Sequence, residues 1–293
     1  MTRAFLALAA LSLLMSGGSA ASAADKPVVL KPSSNWLVDW SDDSCILSRK
    51  FGADAPVLLS FRAYEPGYRF QVSMAGEPIW HFGKNRKLSI AYGDGDDLDV
   101  GLYVPARMEG FGAAFIFDGL IAYAASPRPD EDTAPPPPPV RYPDLELETR
   151  LQRISLSTSG AKLVLETGPM MKAFAALRQC TDDLVRGWGL DPAVQGQLTK
   201  QAWPLNQRSW GGAIQLISST LPIPQGRGRA GVLVLVDKSG APTKCRMHHI
   251  INNTKFLEGA CRQVMKDARF SPALDKDGQP VDSFYTTAIF FKG

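Results

Sequence analysis

The stretch RFSPALDKDGQPV, residues 269–281, decides how the last part of the chain folds. Apolar residues recur before it at the spacing of one helix face; they are Phe256, Leu257, Ala260, Cys261, Val264, Met265 and Ala268. Asn253 or Thr254 is suited to cap the start of this helix. We expect Phe270 to pack the end of the helix onto a sheet and Pro272 to stop the helix.

The segments on either side of this helix have the patterns of strands. GVLVLVD, residues 231–237, alternates two apolar faces, and PTKCRMHH, residues 242–249, follows after a turn at Gly240. Asp277-Gly278 predicts another turn, which leads into SFYTTAIFF, residues 283–291. The sequence therefore predicts the order β-β-α-β, with a leading helix in the 191–218 region.

This arrangement resembles the TonB C-terminal domain family over residues 213–293. The matching positions are Gly231, Val232, Val234, Val236, Asp237, Gly240, Leu257, Glu258, Phe270, Pro272, Ala273, Gly278, Pro280, Val281 and Phe290. The resemblance implies a three-stranded antiparallel sheet packed on helices. The handedness of the β-α-β crossover favours the strand order 2-1-3, which leaves the last strand at an edge. The chain departs from the family at 248–254, where HHIINNT replaces a Ser-Ser-Gly-like loop.

An exposed sheet edge offers unpaired N–H and C=O groups to which an extended peptide adds as a further strand. In the family that peptide is the N-terminal box of an outer-membrane receptor. By position, the implied binding strand consists of Ser283, Phe284, Tyr285, Thr286, Thr287, Ala288, Ile289, Phe290 and Phe291. The other interpretation is that this strand is ordinary core and that the rest of the chain covers its edge.

Residues 24–190 have the short apolar runs of a β-rich, sandwich-like domain that is closed by a helix. Asp118-Gly119 and Ser159-Gly160 each lie between apolar runs and predict hairpin turns. A helix follows Pro169, with Met171, Phe174, Leu177 and Cys180 or Thr181 on its apolar side. Residues 191–212 are interpreted as a linker. Because a β-rich domain is followed by a small sheet packed on helices, the predicted fold class is α+β.

The first 23 residues have the pattern of a secretory signal peptide: Arg3, an apolar run from Ala4 to Met15, and small residues before Ala24. An uncleaved membrane anchor is the alternative, although the apolar run is shorter than the ~20 residues that span a bilayer. Cleavage would place the mature chain in the periplasm. No later segment is apolar enough to be a transmembrane helix.

The four cysteines, Cys45, Cys180, Cys245 and Cys261, suggest two disulfides in an oxidising compartment. Three pairings are open. Cys45–Cys180 with Cys245–Cys261 is favoured because each bond then stays within one domain. Zinc is the competing interpretation, but the chain has no Cys-x-x-Cys spacing.

Motifs for enzymatic chemistry are weak. GRGRAG, residues 226–231, precedes a strand instead of opening a helix, so it does not fit a dinucleotide site. Ser159-Gly-Ala-Lys162 lacks the partner motifs of penicillin-recognising enzymes, and GDGDDLD, residues 93–99, fits a solvated turn better than a calcium loop. His248 and His249 point to opposite faces of a strand. We therefore predict no catalytic residue, metal or cofactor.

The net charge of +3 gives no case for nucleic-acid binding. The sequence predicts a periplasmic protein-binding module linked to TonB-type outer-membrane transport. One alternative is an envelope scaffold that forms homodimers by pairing of edge strands. The other is an enzyme whose site lies in residues 24–190.

Overall fold

The computed structural model describes residues 26–82, 87–101, 103–120, 143–219, 227–249 and 254–292. Strands make up 41% and helices 26% of the structure, distributed over several sheets, which confirms the α+β class. The predicted signal peptide and the five consecutive prolines at 135–139 lie outside the described residues. Within the described part, no helix is long and apolar enough to cross a bilayer.

The regular elements of residues 26–120 are strands, apart from one 3-10 helix. They are β1 (Val28–Leu30), β2 (Leu37–Trp40), β3 (Cys45–Phe51), β4 (Val57–Ala63), β5 (Arg69–Ala75), β6 (Ser89–Tyr92), β7 (Leu98–Asp99), β8 (Tyr103–Met108) and β9 (Gly112–Leu120). A 3-10 helix, Glu77–Phe82, separates β5 from β6.

Helices and strands alternate in the second half. The helices are α1 (Leu145–Arg150), α2 (Met171–Gly187), α3 (Pro192–Gln195), α4 (Gln207–Ser219) and α5 (Thr254–Asp267). The strands are β10 (Ile154–Thr158), β11 (Ala161–Leu165), β12 (Trp203–Pro204), β13 (Arg227–Val236), β14 (Pro242–His249), β15 (Phe270–Ser271), β16 (Ala273–Leu274), β17 (Pro280–Val281) and β18 (Ser283–Lys292).

Two sheets and α2 share the first hydrophobic cluster. One sheet has the order β2-β3-β4-β5-β9-β8, and the other has the order β1-β11-β10-β6-β7, in which β1 is parallel to β11. Phe70 stacks on Phe174 of α2 at 5.8 Å between ring centroids and meets Phe61 edge-on at 5.4 Å. Helix α2 therefore packs against strands by burying aromatic area.

The helix predicted after Pro169 is confirmed as α2. Phe174, Leu177, Cys180 and Thr181 are all buried. Met171 is 39% exposed, so its place on the apolar side was predicted wrongly. Met170 is buried instead, one residue before the helix begins.

The hairpin turn predicted at Asp118 and Gly119 is wrong, because both residues lie inside β9 and pair with β5. A Cβ on Gly119 would lie 2.5 Å from both the Tyr92 hydroxyl oxygen and the Val72 Cγ2. Glycine stands there because a neighbouring side chain approaches the backbone, which is the other common reason for glycine in a strand. The turn between β8 and β9 lies at residues 109–111.

The turn predicted at Ser159-Gly160 is confirmed between β10 and β11. Gly160 has φ +88°, a left-handed conformation that glycine adopts without a steric cost. Ser159, the serine of the S-x-x-K sequence at residues 159–162, therefore lies in a turn and not on a helix.

A second hydrophobic cluster lies between the sheet β14-β13-β18 and the helices α4 and α5. Its buried members include Trp210, Ile214, Val232, Val234, Val236, Phe256, Ala260 and Val264. Both β14 and β18 are antiparallel to β13, which confirms the predicted 2-1-3 order. Leu233, which points to the opposite face, is only 2% exposed, so the sheet is covered on both faces at this position.

Helix α5 ends at Asp267, five residues before the proline that was expected to stop it. The side chain of Asn206 makes this end: its Nδ2 donates to the Asp267 carbonyl at 2.8 Å, and its Oδ1 accepts from the Arg269 N–H at 2.9 Å. Backbone groups at a buried helix end destabilise the fold when they have no hydrogen-bond partner. Here Asn206, the residue before α4, supplies those partners. The role predicted for Pro272 is therefore wrong.

The two glycine turns of the last part of the chain are confirmed. Gly240 (φ +86°) joins β13 to β14, and Gly278 (φ +75°) joins β16 to β17. The Phe270 N–H donates to the Gly240 carbonyl at 3.1 Å, so the first turn lies against β15. Phe270 itself is buried against Tyr285 of β18 at 5.4 Å between ring centroids, as expected.

Residues 191–212, predicted as a linker, contain α3, β12 and the first turns of α4. Ala202 and Trp210 are buried in the second cluster, and β12 pairs with β15. The division of the chain into domains stays a prediction.

Candidate functional site at the edge strand

Strand β18 pairs with β13 along its whole length, from Ser283 opposite Val236 to Lys292 opposite Arg227. In the described part of the chain, no strand pairs with its other side. The structure therefore places the predicted binding strand at a sheet edge. The side chains of Phe290 and Phe291 lie outside the described residues.

The face of β18 that points to the helices is anchored by Tyr285. Its ring packs against Phe270 and meets Trp203 edge-on at 6.2 Å, and its hydroxyl lies 3.3 Å from the Gln207 Oε1 at the start of α4. Burial raises the pKa of Tyr285, so the hydroxyl stays a neutral donor. These contacts fix the register and the face of the strand.

The beginning of β18 is covered by α3. Gln195 donates from its Nε2 to the Asp282 carbonyl at 2.9 Å, and its Oε1 lies 2.6 Å from the Ser283 hydroxyl. Ser283 is only 1% exposed. The first residue of the predicted binding strand is therefore occupied by the chain itself, whereas Thr286, Thr287, Ala288 and Ile289 are partly exposed.

The other face of the same sheet meets residues of the first half of the chain. Phe284 of β18 lies edge-on to Trp188, just after α2, at 5.1 Å between ring centroids. His248 of β14 stacks on Tyr64, which follows β4, at 4.1 Å and an interplanar angle of 23°. Both faces of the sheet are thus packed, and among the described residues its unpaired sides are the edges of β14 and β18, of which β18 is the predicted binding strand.

A small cleft, which we call the edge cleft, lies between β18 and the first half of the chain, on the face of the sheet where Gly231 and Val232 of β13 also line it. It is lined by Thr286 and Thr287 together with Glu65, Arg69, Asp118 and His248. Its volume is about 40 Å³, and one buried water needs about 10–15 Å³. The edge cleft therefore has room for ordered water.

The favoured disulfide pairing is confirmed for both bonds. Cys45–Cys180 joins β3 to α2, and Cys245–Cys261 joins β14 to α5. The second bond holds the helix layer on the strand at the far side of β13 from β18. Because this bond fixes β14 relative to α5, it also holds β13, which pairs with β14 on one side and with β18 on the other.

The turn before β14 is organised by Asp237. Its Oδ1 accepts hydrogen bonds from the Ser239 N–H at 2.8 Å, the Ser239 hydroxyl at 2.6 Å and the Ala241 N–H at 3.0 Å. The Ser239 hydroxyl, followed by the Ala241 N–H, holds the pKa of Asp237 below its usual range. This turn lies at the end of β13 that carries the start of β18, where Asp282 accepts from the Lys238 N–H at 2.8 Å.

No group of three or more metal-ligating side chains occurs among the described residues. The acidic run at 93–99 contains a turn at Gly93 and Asp94 and then β7. GRGRAG continues directly into β13 from Arg227 onward, so no helix begins there. The edge cleft and a second cleft near α2 are each lined by residues of 24–190 together with a residue of β14, which is His248 in the first and Arg246 in the second.

The contact of α3 with β18 was missed by sequence reasoning, although part of its signal was present. Asp191 accepts a hydrogen bond from the Ala193 N–H at 2.9 Å, and Pro192 is the first residue of α3. An Asp followed by Pro is a typical start of a helix. No local pattern indicates that Gln195 would reach β18.

No protein-family model matches this chain, and no curated protein or solved structure matches it either.

Proposed function

We propose that the chain is a periplasmic protein-binding module that takes up an extended peptide along β18. In this proposal residues 213–293 form a TonB-like module, and residues 24–190 form a sandwich-like domain beside it. The observation that supports it most is the one-sided pairing of β18 in a sheet whose two faces are already packed. A free edge has unpaired backbone groups and binds a further strand.

The partner is an extended segment, such as the N-terminal part of an outer-membrane receptor. The peptide backbone would pair with residues from Phe284 onward, because Ser283 is buried and its side chain is hydrogen-bonded to Gln195. Residues 220–293 contain eleven Lys or Arg and six Asp or Glu, which favours an acidic segment. The two disulfides fit an oxidising compartment, which agrees with a location outside the cytoplasm.

The test uses the chain from residue 24 onward and fluorescently labelled peptides from the N-terminal segments of outer-membrane receptors. Thr286→Pro and Thr287→Pro are made separately, because neighbouring N–H groups of a strand point to opposite sides. One variant removes an N–H that bonds to β13 and lowers stability. The other removes the outward N–H, keeps the fold and abolishes the change in fluorescence anisotropy.

Thr243→Pro and Lys244→Pro on β14, the opposite edge of the sheet, are the matched controls. The folded member of that pair should bind peptide like the unchanged protein. Peptide binding that survives in both β18 variants, or its absence from the unchanged protein, would contradict the proposal.

The same edge supports a second candidate function, a homodimer in which two copies of β18 pair. Dilution on a sizing column would then convert dimer to monomer, and the folded Thr286 or Thr287 proline variant would be monomeric at every concentration. Peptide binding to the monomer would support the first candidate function instead.

A further inference from the structure

A larger cleft lies between the end of α2, the end of β2 and β14, away from the edge of β18. We call it the disulfide cleft; its lining includes Trp40, Asp42, Cys180, Asp183, Trp188 and Arg246. Its volume is about 190 Å³, and water in the liquid takes roughly 30 Å³ per molecule. The disulfide cleft therefore has room for a small organic molecule, but not for a long one.

The apolar part of the wall of the disulfide cleft is formed by Trp40, Cys180, Leu184 and Trp188. Cys180, buried in its bond to Cys45, and Leu184 belong to the buried side of α2. The ring of Trp188 is held edge-on against Phe284. Trp40, which also lines the cleft, keeps 51% of its surface exposed. A cleft with aromatic walls and a few polar groups is typical of small-molecule sites.

Charges of both signs line this cleft without neutralising each other. Arg246 is partly buried, and its side chain makes no hydrogen bond or ion pair with any residue in the described ranges. The carboxylate of Asp42, which is exposed, also makes no hydrogen bond or ion pair with a residue in the described ranges. Asp183 pairs with Arg186 on its own helix, so it does not satisfy Arg246. A guanidinium and a carboxylate thus face one small space, each with its bonding capacity left.

The end of α2 adds to the negative side of this space. The helix ends at Gly187, which lines the cleft, and the carboxyl end of a helix favours a positive charge. The exposed indole of Trp40 favours a cation as well. Arg246 lies on β14, in the other part of the chain, and favours an anion, most strongly a carboxylate that it binds with two hydrogen bonds.

We propose that the disulfide cleft binds a free α-amino acid with an apolar side chain. Its carboxylate pairs with Arg246, its ammonium group with Asp42 beside Trp40, and its side chain packs on Leu184 and Trp188. A purely anionic ligand would meet Asp42 and Asp183, and a purely cationic one would meet Arg246. A ligand that carries no charged group would leave both Asp42 and Arg246 without a partner. This inference does not depend on the function proposed for β18.

The test is calorimetric titration of the chain from residue 24 onward with L-leucine and L-phenylalanine. Leucinamide, which lacks the carboxylate, and N-acetylleucine, which lacks the ammonium group, are the matched probes. We expect saturable binding of at least one free amino acid, and affinity weaker by on the order of tenfold or more for each probe that lacks one charge.

The variants separate the two charges. Arg246→Gln should lower the affinity for the free amino acid but not the affinity for leucinamide. Asp42→Asn should lower the affinity for the free amino acid but not the affinity for N-acetylleucine. Arg107→Gln on β8 and Trp80→Ala, both at exposed positions outside the cleft, should bind like the unchanged protein. Trp40→Ala should lower the affinity for every ligand.

Absence of heat with both amino acids would overturn the proposal. So would binding that is indifferent to Arg246→Gln and Asp42→Asn, or equal affinity for leucine and its two one-charge derivatives. Circular dichroism of each variant confirms that a loss of binding is not a loss of fold.

Discussion

At the scale of single residues, Gly240 shows how a turn is tied to a distant part of the chain. A Cβ at this position would lie 2.1 Å from the Phe270 carbonyl oxygen, which is far inside van der Waals contact. The residue also has φ +86°, where side chains other than glycine are strained. Gly278 has the same kind of backbone, φ +75°, but nothing lies within 4 Å of its would-be Cβ.

We predict that Gly240→Ala lowers the free energy of unfolding by about 3–5 kcal/mol, because backbone strain adds to a clash that only a backbone shift relieves. Gly278→Ala, with strain alone, should cost about 1–2 kcal/mol. Urea denaturation of both variants measures the difference. Equal losses would mean that β15 moves away from the turn at little cost.

The sequence was informative about single residues where a local rule applies. The glycines of the turns after β10, β13 and β16 were predictable, because a positive φ follows from the turn itself. Gly119 was not, because its cause lies in Tyr92 and Val72, which only the folded sheet brings to it. The same dipeptide pattern therefore has two physical origins, and the sequence does not distinguish them.

At the scale of elements, the end of α5 depends on a side chain outside the helix. Asn206 bonds both to Asp267, the last helical residue, and to Arg269. Its neighbour Leu205 donates its N–H to the Arg269 carbonyl at 2.8 Å. The segment before α4 and the segment after α5 are thereby joined.

We predict that Asn206→Ala lowers the free energy of unfolding by about 1–3 kcal/mol, since a backbone donor and a backbone acceptor each lose a partner. Asn206→Asp keeps the acceptor for Arg269 but places a carboxylate oxygen against the Asp267 carbonyl at the carboxyl end of the helix, so its loss should be at least as large. Thermal unfolding followed by circular dichroism checks both. Pro272→Ala is the control, and a larger loss there than in Asn206→Ala would restore the proline as the helix stop.

The predicted elements of the last part of the chain, with their order in the sheet, agree with the structure because their patterns are strong and their turns short. Val232, Val234 and Val236 alternate as a strand requires, and the apolar side of α5 follows the helical period. The short strands β12 and β15 were not predicted. Two residues are too few to show a period.

At the scale of the whole molecule, each half of the described chain has its own disulfide. Cys45 and Cys180 are separated by 135 residues, and Cys245 and Cys261 by 16 residues. In the chain-entropy account, a disulfide stabilises by limiting the unfolded chain, and the effect grows with the length of the loop.

We predict that Cys45→Ala with Cys180→Ala lowers the free energy of unfolding by about 5 kcal/mol, and Cys245→Ala with Cys261→Ala by about 3 kcal/mol. Guanidinium denaturation of each double variant gives the two values, and the unchanged protein under reducing conditions should match the sum within error. A greater loss from the shorter loop would show that native contacts, not loop closure, dominate.

The candidate site was predictable only in part. The sequence indicated the strand and its edge position, because the order β-β-α-β restricts how a small sheet is built. The cover of Ser283 by Gln195, and the contacts of Phe284 and His248 with the first half of the chain, were not predictable. They join segments that are far apart in sequence and carry no shared local pattern.

The position of β13 in the centre of its sheet has a consequence for how copies of this chain exchange segments. Strand β14 follows β13 after one turn, whereas β18 reaches it only after α5 and a further hairpin. Closing the longer connection costs more entropy, so we expect β18 to pair with β13 after β14 does. Until β18 pairs, β13 has an unpaired edge that includes the apolar run from Val232 to Val236, and the β18 of another copy matches that edge as well as its own β18 does. Concentrated protein held under mildly destabilising conditions should therefore accumulate strand-swapped oligomers before it unfolds.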